Sequence, residues 1–106
     1  MSTPACERTE RAIADRLGGQ RVPISGRARG DAPDVAHPRL SIEIKHRRSL
    51  PAWPHEAIAQ AVAAAGAEHI PIAILHGQGR RYDENLCVLR LAGLAALLAS
   101  GARDEG

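Results

Sequence analysis

Residues 33–45, with the sequence PDVAHPRLSIEIK, decide the fold. In the second half of this stretch apolar and polar side chains alternate, a period typical of a strand with one buried face. We predict a strand over Leu40–Arg47 and a shorter strand over Pro33–His37. A short reversal between them pairs the two strands and brings Asp34 near Glu43.

Polar side chains in this stretch suit the hydrolysis of a phosphodiester. Two converging carboxylates, Asp34 and Glu43, form a hard oxygen site for Mg²⁺, with Mn²⁺ as a substitute. An ion there lowers the pKa of a bound water and neutralises charge on a phosphate. Lys45 shares the strand face of Glu43, where its ammonium can orient that water or stabilise the transition state. A third carboxylate from the first helix, Glu10 or Glu7, can complete the site.

Basic residues support contact with a phosphate backbone. The net charge of +2 is too small by itself to indicate nucleic acid, but residues 16–48 contain eight basic and three acidic side chains. Lys45 is the only lysine among the 14 basic residues, and an ammonium has chemistry that a guanidinium lacks. Alternating polar residues also form solvated sheet faces, and on that interpretation Glu43 and Lys45 are a surface pair that contributes little stability.

Helical and strand segments extend outward from residues 33–45. Gly18 and Gly19 end the first helix, and the apolar run at residues 70–76 indicates a central strand covered on both faces. The predicted order is α-β-β-β-α-β-β-α: helix Cys6–Leu17, strands Gln20–Ile24, Pro33–His37 and Leu40–Arg47, helix His55–Gly66, strands Ile70–His76 and Leu86–Leu91, and helix Ala92–Ser100, with one helix over 86–100 as the alternative. This order predicts an α/β fold with a mixed β-sheet flanked by helices.

Length and composition restrict the class of protein. A chain of 106 residues forms one domain, with residues 1–5 and 101–106 expected to be flexible. No apolar run approaches the roughly 20 residues of a membrane span, and the N-terminal MSTPACERTE lacks a signal-peptide core. We therefore expect no contact with a membrane. Cys6 and Cys87 lie far apart with no CxxC spacing, which favours a reduced cytoplasmic protein. Two such cysteines also exclude a zinc site built on cysteine pairs.

Aromatic residues are nearly absent, with one Trp, one Tyr and no Phe. This scarcity argues against a base-stacking platform for single-stranded nucleic acid. Trp53, within the predicted rigid connector Leu50–Pro54, is expected to cap the core or an oligomer interface, with a wedge against a DNA junction as the alternative. Arg80, Arg81 and Tyr82 are expected at a hairpin tip. His46 alternates to the apolar strand face, so we expect it to be partly buried.

Pro33-Asp34 followed by Glu43-Ile44-Lys45 resembles the motif of the PD-(D/E)XK nuclease superfamily. The order of Glu10, the Gly18-Gly19 pair, a strand, Ser25-Gly26 and Asp34 is most similar to small archaeal-type Holliday junction resolvases and related phage and bacterial endonucleases. The likeness covers about residues 6–76. It implies a restriction-endonuclease-like core and a Mg²⁺-dependent endonuclease that acts on branched DNA such as a four-way junction, in recombination or repair, and leaves a 5′-phosphate.

The resemblance also implies roles for individual residues. Asp34, Glu43 and the Ile44 carbonyl would ligate the metal, Glu10 would be the helical carboxylate, and Lys45 would act near the attacking water. Glu7 remains open as the alternative to Glu10. Gln60 matches a glutamine on the helix after the motif, and the absence of a Tyr four residues later argues mildly against the processive exonuclease branch. The DNA-contacting candidates are Ser25, Arg27, Arg29, Arg47, Arg48 and Gln60.

The sequence leaves the DNA substrate and the class of protein open between alternatives. A core this small covers little of a duplex, and a resolvase cuts two strands, so a homodimer is expected. A nicking or repair endonuclease of the same superfamily would use the same chemistry on linear DNA. A protein of another class, a non-catalytic nucleic-acid-binding module, would use the basic residues alone.

Overall fold

A computed structural model describes residues 4–23 and 32–105 and divides the chain into two compact units, Met1–Arg48 and Ser49–Gly106. The first unit contains helix α1 and strands β1 and β2; the second contains helix α2, the hairpin β3–β4 and helix α3. A 3₁₀ turn over Tyr82–Glu84 precedes β4. The bounds are α1 Pro4–Leu17, β1 Gln20–Arg21, β2 Val35–Ala36, α2 Ala52–Ala64, β3 Ala73–Leu75, β4 Leu86–Val88 and α3 Leu91–Glu105.

Helix α1 ends at the predicted glycine pair. Gly18 has a φ of 76°, a left-handed conformation that glycine adopts without a Cβ clash. The Gly19 amide donates to the Ala14 carbonyl at 2.9 Å, which completes a Schellman motif. The sequence prediction of this helix end is therefore confirmed.

The core of the first unit lies where α1 packs on the antiparallel pair β1–β2. Val35 is completely buried, and Ala14 and Leu17 of α1 are 2% and 6% exposed. The register pairs Arg21 with Val35. A Cβ on Gly19 would lie 2.6 Å from the Ala36 carbonyl oxygen, so helix and strand approach at a distance that only glycine permits.

The predicted strand over Leu40–Arg47 is reduced to a single antiparallel bridge between Ile42 and Val35. Prolines explain the short pairing. Pro33 and Pro38 flank β2, and a residue without an N–H cannot continue a ladder. The predicted alternation persists nevertheless, because the side chains at 41, 43 and 45 are exposed while those at 42 and 44 are half-buried.

In the second unit, α2 packs against the antiparallel hairpin of β3 and β4, with Ile58 buried. Ile74 pairs with Cys87 and is 54% exposed, and Ile72 is 39% exposed. The prediction of a central strand covered on both faces over Ile70–His76 is therefore wrong within the described residues. Among the described elements, β3 pairs with β4 alone, and α2 is the element that packs on this hairpin.

The boundaries of the helices also differ from prediction. The predicted connector Leu50–Pro54 overlaps α2, which begins at Ala52. Pro54 is tolerated in the first turn because the amides there have no carbonyl partner within the helix. Helix α1 begins at Pro4, before the predicted start at Cys6, and α3 continues to Glu105, beyond the predicted end at Ser100. β4 and α3 are separate, which excludes one helix over residues 86–100.

The fold is mixed α/β, as predicted at that level. The strands of the described residues form two separate two-stranded antiparallel sheets in place of the single mixed sheet that the sequence predicts. No helix in the described part of the chain is both long enough and apolar enough to span a membrane.

Replacing Gly19 with alanine tests the close approach of α1 and β2. We expect Gly19→Ala to lower the free energy of unfolding by about 1–3 kcal/mol, because the added methyl overlaps the Ala36 carbonyl. Gly66→Ala is the matched control, since a Cβ there meets its nearest atom at 3.4 Å. Urea denaturation measures both variants, and equal stability of the two would contradict the packing.

Candidate functional site

Asp34 occupies the centre of the first unit's backbone pairing. Its amide donates to the Ile42 carbonyl at 3.0 Å, and its carbonyl accepts from the Val22 amide at 3.0 Å. Its side chain accepts a hydrogen bond at Oδ2 from the Ile44 amide at 2.6 Å. The Asp34 carboxylate is thus fixed directly beside the backbone of Glu43-Ile44-Lys45, which we call the E-x-K triplet.

Glu43 and Lys45 extend from the exposed side of the same segment. Asp34 lies one residue before the bridge of Val35 to Ile42, and Glu43 lies one residue after it on the opposing segment. The antiparallel direction therefore makes Asp34 and Glu43 neighbours across the pairing. Glu43 and Lys45 form no hydrogen bond or ion pair with other described residues, so both remain accessible to a ligand.

Glu10 forms a buried ion pair with Arg21. The two side chains are 9% and 13% exposed, and Arg21 Nε lies 2.7 Å from Glu10 Oε1. The outer guanidinium nitrogen lies 3.7 Å from Glu7 Oε1, and the Glu7 side chain is 37% exposed. Both helical candidates thus face Arg21. Within residues 4–23 and 32–105 the structure gathers no group of three or more acidic, histidine or cysteine side chains around one point, so Glu10 does not join Asp34 and Glu43 there.

Most of the basic candidates that the structure describes are exposed. Arg47 and Arg48 are exposed, and so is His46, which corrects the prediction of a partly buried histidine. The physical reason is that the pairing ends at Ile42, so the chain beyond Ile44 has no partner strand among the described residues to cover it. Gln60 is exposed on α2 in the second unit. Ser25, Arg27 and Arg29 lie outside the described residues.

Sequence reasoning missed the role of His37. The Arg39 and Leu40 amides approach its Nδ1 at 3.0 and 3.2 Å, so Nδ1 is the acceptor. Nε2 then carries the hydrogen and donates to the Leu17 carbonyl at 2.9 Å, at the end of α1. His37 therefore connects the helix end to the turn that leads into the E-x-K segment. The His-Pro pair at this turn was the available sequence signal.

Comparison with known proteins gives no relative. No protein-family model, no curated protein and no solved structure matches this chain significantly.

A double-mutant cycle tests the buried ion pair. We expect Arg21→Met to lower the free energy of unfolding by about 3 kcal/mol, because it leaves the Glu10 carboxylate buried without its cation. Arg21→Met combined with Glu10→Gln should recover a large part of that loss. Glu7→Gln is the control and should change stability by less than about 0.5 kcal/mol, since that pair is longer and more exposed. Equal effects of Glu7→Gln and Glu10→Gln would contradict the assignment.

Proposed function

We propose that this chain is a metal-dependent endodeoxyribonuclease with a restriction-endonuclease-like core, acting on branched DNA as a homodimer. One observation carries the proposal. Asp34 and Glu43 are neighbours across an antiparallel pairing, and Lys45 shares the exposed side of Glu43. This is the constellation that phosphodiester hydrolysis needs, and it coincides with the residues that resemble the PD-(D/E)XK motif.

The donor set fits Mg²⁺. This ion retains several waters and takes one or two carboxylates from the protein, so a third carboxylate is not required. Asp34 and Glu43 would each supply a carboxylate oxygen, and Ile44 its carbonyl. When bound, Mg²⁺ supplies Lewis acidity and charge neutralisation at the scissile phosphate.

The chain's own residues position and charge the site. The Ile44 amide holds the Asp34 carboxylate in one orientation, so this group is preorganised before a ligand arrives. Lys45 supplies a compact ammonium on the exposed side, suited to orienting a water or to stabilising charge on a non-bridging phosphate oxygen. Arg47 and Arg48, also exposed, supply contacts to the DNA backbone.

Glu10 has a different role in this proposal. Its ion pair with Arg21 neutralises its charge within the first unit. We therefore assign the two-carboxylate set to the metal and treat Glu10 as a group that becomes a ligand only if Arg21 releases it. Substitution of Glu10 should then affect folding before it affects cleavage.

A non-catalytic nucleic-acid-binding module is the second candidate. The consecutive exposed side chains from Lys45 to Arg48 favour it, because they can bind phosphates without any metal. The two candidates differ in what they require of Lys45. Binding needs only its charge, whereas catalysis needs the ammonium itself.

Cleavage of a labelled synthetic four-way junction, beside its linear duplex arms and with Mg²⁺, tests the proposal. We expect paired nicks in the junction. Lys45→Arg and Asp34→Asn should each lower the cleavage rate about 10²-fold or more while binding persists. Asp34→Asn retains an oxygen that can accept from the Ile44 amide, so the fold should be preserved.

Glu56→Gln is the control for removal of one exposed carboxylate and should cleave normally. Equal cutting of the linear arms would support the nuclease and replace the branched substrate with linear DNA. Intact binding without cleavage in the unsubstituted chain, or full cleavage by Lys45→Arg, would contradict the catalytic proposal and favour the binding module.

A further inference from the structure

A cleft of about 510 Å³ opens in the second unit, and it contains none of the residues of the proposed nuclease site. Its volume lies in the range of small-molecule and nucleotide sites. Side chains from the start of α2 and from the two arms of the β3–β4 hairpin surround it. They include Trp53, Leu75, His76, Arg80, Glu84 and Leu86.

Flat ring surfaces are concentrated at this cleft. Trp53, in the first turn of α2, is 55% exposed although it is the only tryptophan of the chain. Tyr82 is 79% exposed and stacks on His76 with ring centroids 5.0 Å apart and an interplanar angle of 27°. The Trp53 and His76 rings therefore line the cleft, and Tyr82 adjoins it through its stack on His76, so a low aromatic count does not exclude stacking there.

Local hydrogen bonds orient the His76 ring and the backbone that carries Arg80. Asn85 Oδ1 and His76 Nδ1 lie 2.9 Å apart, and a proton on Nδ1 leaves Nε2 as an acceptor. Gly79, with a φ of 83°, and the bond from the Arg80 amide to the Gly77 carbonyl form a tight turn that presents Arg80. Preorganised groups lose less conformational entropy when a ligand binds.

The polar members suit the two parts of a nucleotide. Arg80 forms no ion pair with any described residue, so its guanidinium is available for bidentate contact with a phosphate. Glu84 lines the same cleft and is an acceptor for the exocyclic amine of cytosine or adenine. Leu75 and Leu86 complete an apolar floor, and the Trp53 ring offers a face on which any base can stack.

We propose that this cleft binds an unpaired nucleobase together with its adjoining phosphate, as presented by single-stranded nucleic acid. The ring faces and the guanidinium suit a base and its phosphate, and the Glu84 carboxylate favours this ligand over a second copy of the chain, because acidic side chains are depleted in the cores of protein interfaces. The inference does not depend on the cleavage chemistry proposed above, because the cleft uses different residues and needs no metal.

Trp53 itself reports on binding, since no other tryptophan contributes to the fluorescence. We expect a deoxycytidine oligomer of about ten nucleotides, added in EDTA, to quench this emission saturably. A matching ribonucleotide oligomer in a parallel arm distinguishes DNA from RNA. By anisotropy of a labelled oligomer, Trp53→Ala should weaken binding about tenfold, and Trp53→Phe should restore most of it.

Charge variants locate the phosphate contact. Arg80→Ala should weaken binding and lower the slope of log Kd against log salt by about 1, whereas Arg90→Ala, the matched loss of an exposed arginine outside the cleft, should change neither value beyond error. Equal effects of Arg80→Ala and Arg90→Ala, or anisotropy unchanged by Trp53→Ala, would overturn the proposal. Concentration-dependent self-association that Trp53→Ala abolishes would also overturn it and identify an interface between copies.

The binding assay is independent of the proposed nuclease. EDTA removes divalent ions, so the quenching is measured without the metal that the proposed cleavage requires. If Lys45→Arg abolishes junction cleavage while Trp53→Ala binds the oligomer normally, the cleft proposal fails and the nuclease proposal stands. If oligomer binding depends on Trp53 while no cleavage occurs, the opposite conclusion follows.

Discussion

The hydrogen bond from the Ile44 amide to Oδ2 of Asp34 is the contact on which the candidate site depends. It joins the side chain before the turn to the backbone after it. The bridge of Val35 to Ile42 fixes the same two segments, and Val35 is completely buried against the first unit's core. Because that core requires the close approach of Gly19 to β2, the packing of α1 determines where Asp34 lies relative to the E-x-K triplet.

The charged side chains of the first unit differ in how deeply they are buried. Glu10 is buried and neutralised by Arg21, Asp34 is half-buried and hydrogen-bonded, and Glu43 and Lys45 are exposed. An unpaired buried carboxylate would destabilise the unit, so the ion pair secures the fold. The exposed pair lies on the segment that the Val35–Ile42 bridge and the Ile44 amide bond fix, and it forms no ion pair with other described residues, which leaves it available for a ligand and, in our proposal, for a metal and a phosphodiester.

Local features of the fold could be predicted from the sequence, and features set by distant neighbours could not. Helix α1 ends at the glycine pair, as predicted. The predicted alternation at residues 40–45 is present as alternating half-buried and exposed side chains. Both features follow from backbone geometry. The extent of pairing was overestimated, since prolines on both sides of β2 limit the ladder. The Glu10–Arg21 pair joins residues whose approach depends on how β1 packs on α1, and nothing in their spacing indicates it. That the Trp53 and His76 rings line one cleft depends on how α2 packs on the hairpin, and the low aromatic count gave no sign of it.

Residue-resolved Mn²⁺ binding shows whether the segment Glu43-Ile44-Lys45 holds a metal ion. In ¹H–¹⁵N correlation spectra of the full chain, substoichiometric Mn²⁺ broadens the amide signals nearest to the bound ion. The account predicts that Asp34, Glu43, Ile44 and Lys45 broaden first, and that Glu43→Gln abolishes this while Glu56→Gln does not. Earlier broadening at other carboxylates such as Asp83 and Glu84, or an unchanged pattern in Glu43→Gln, would contradict a metal site at the E-x-K segment.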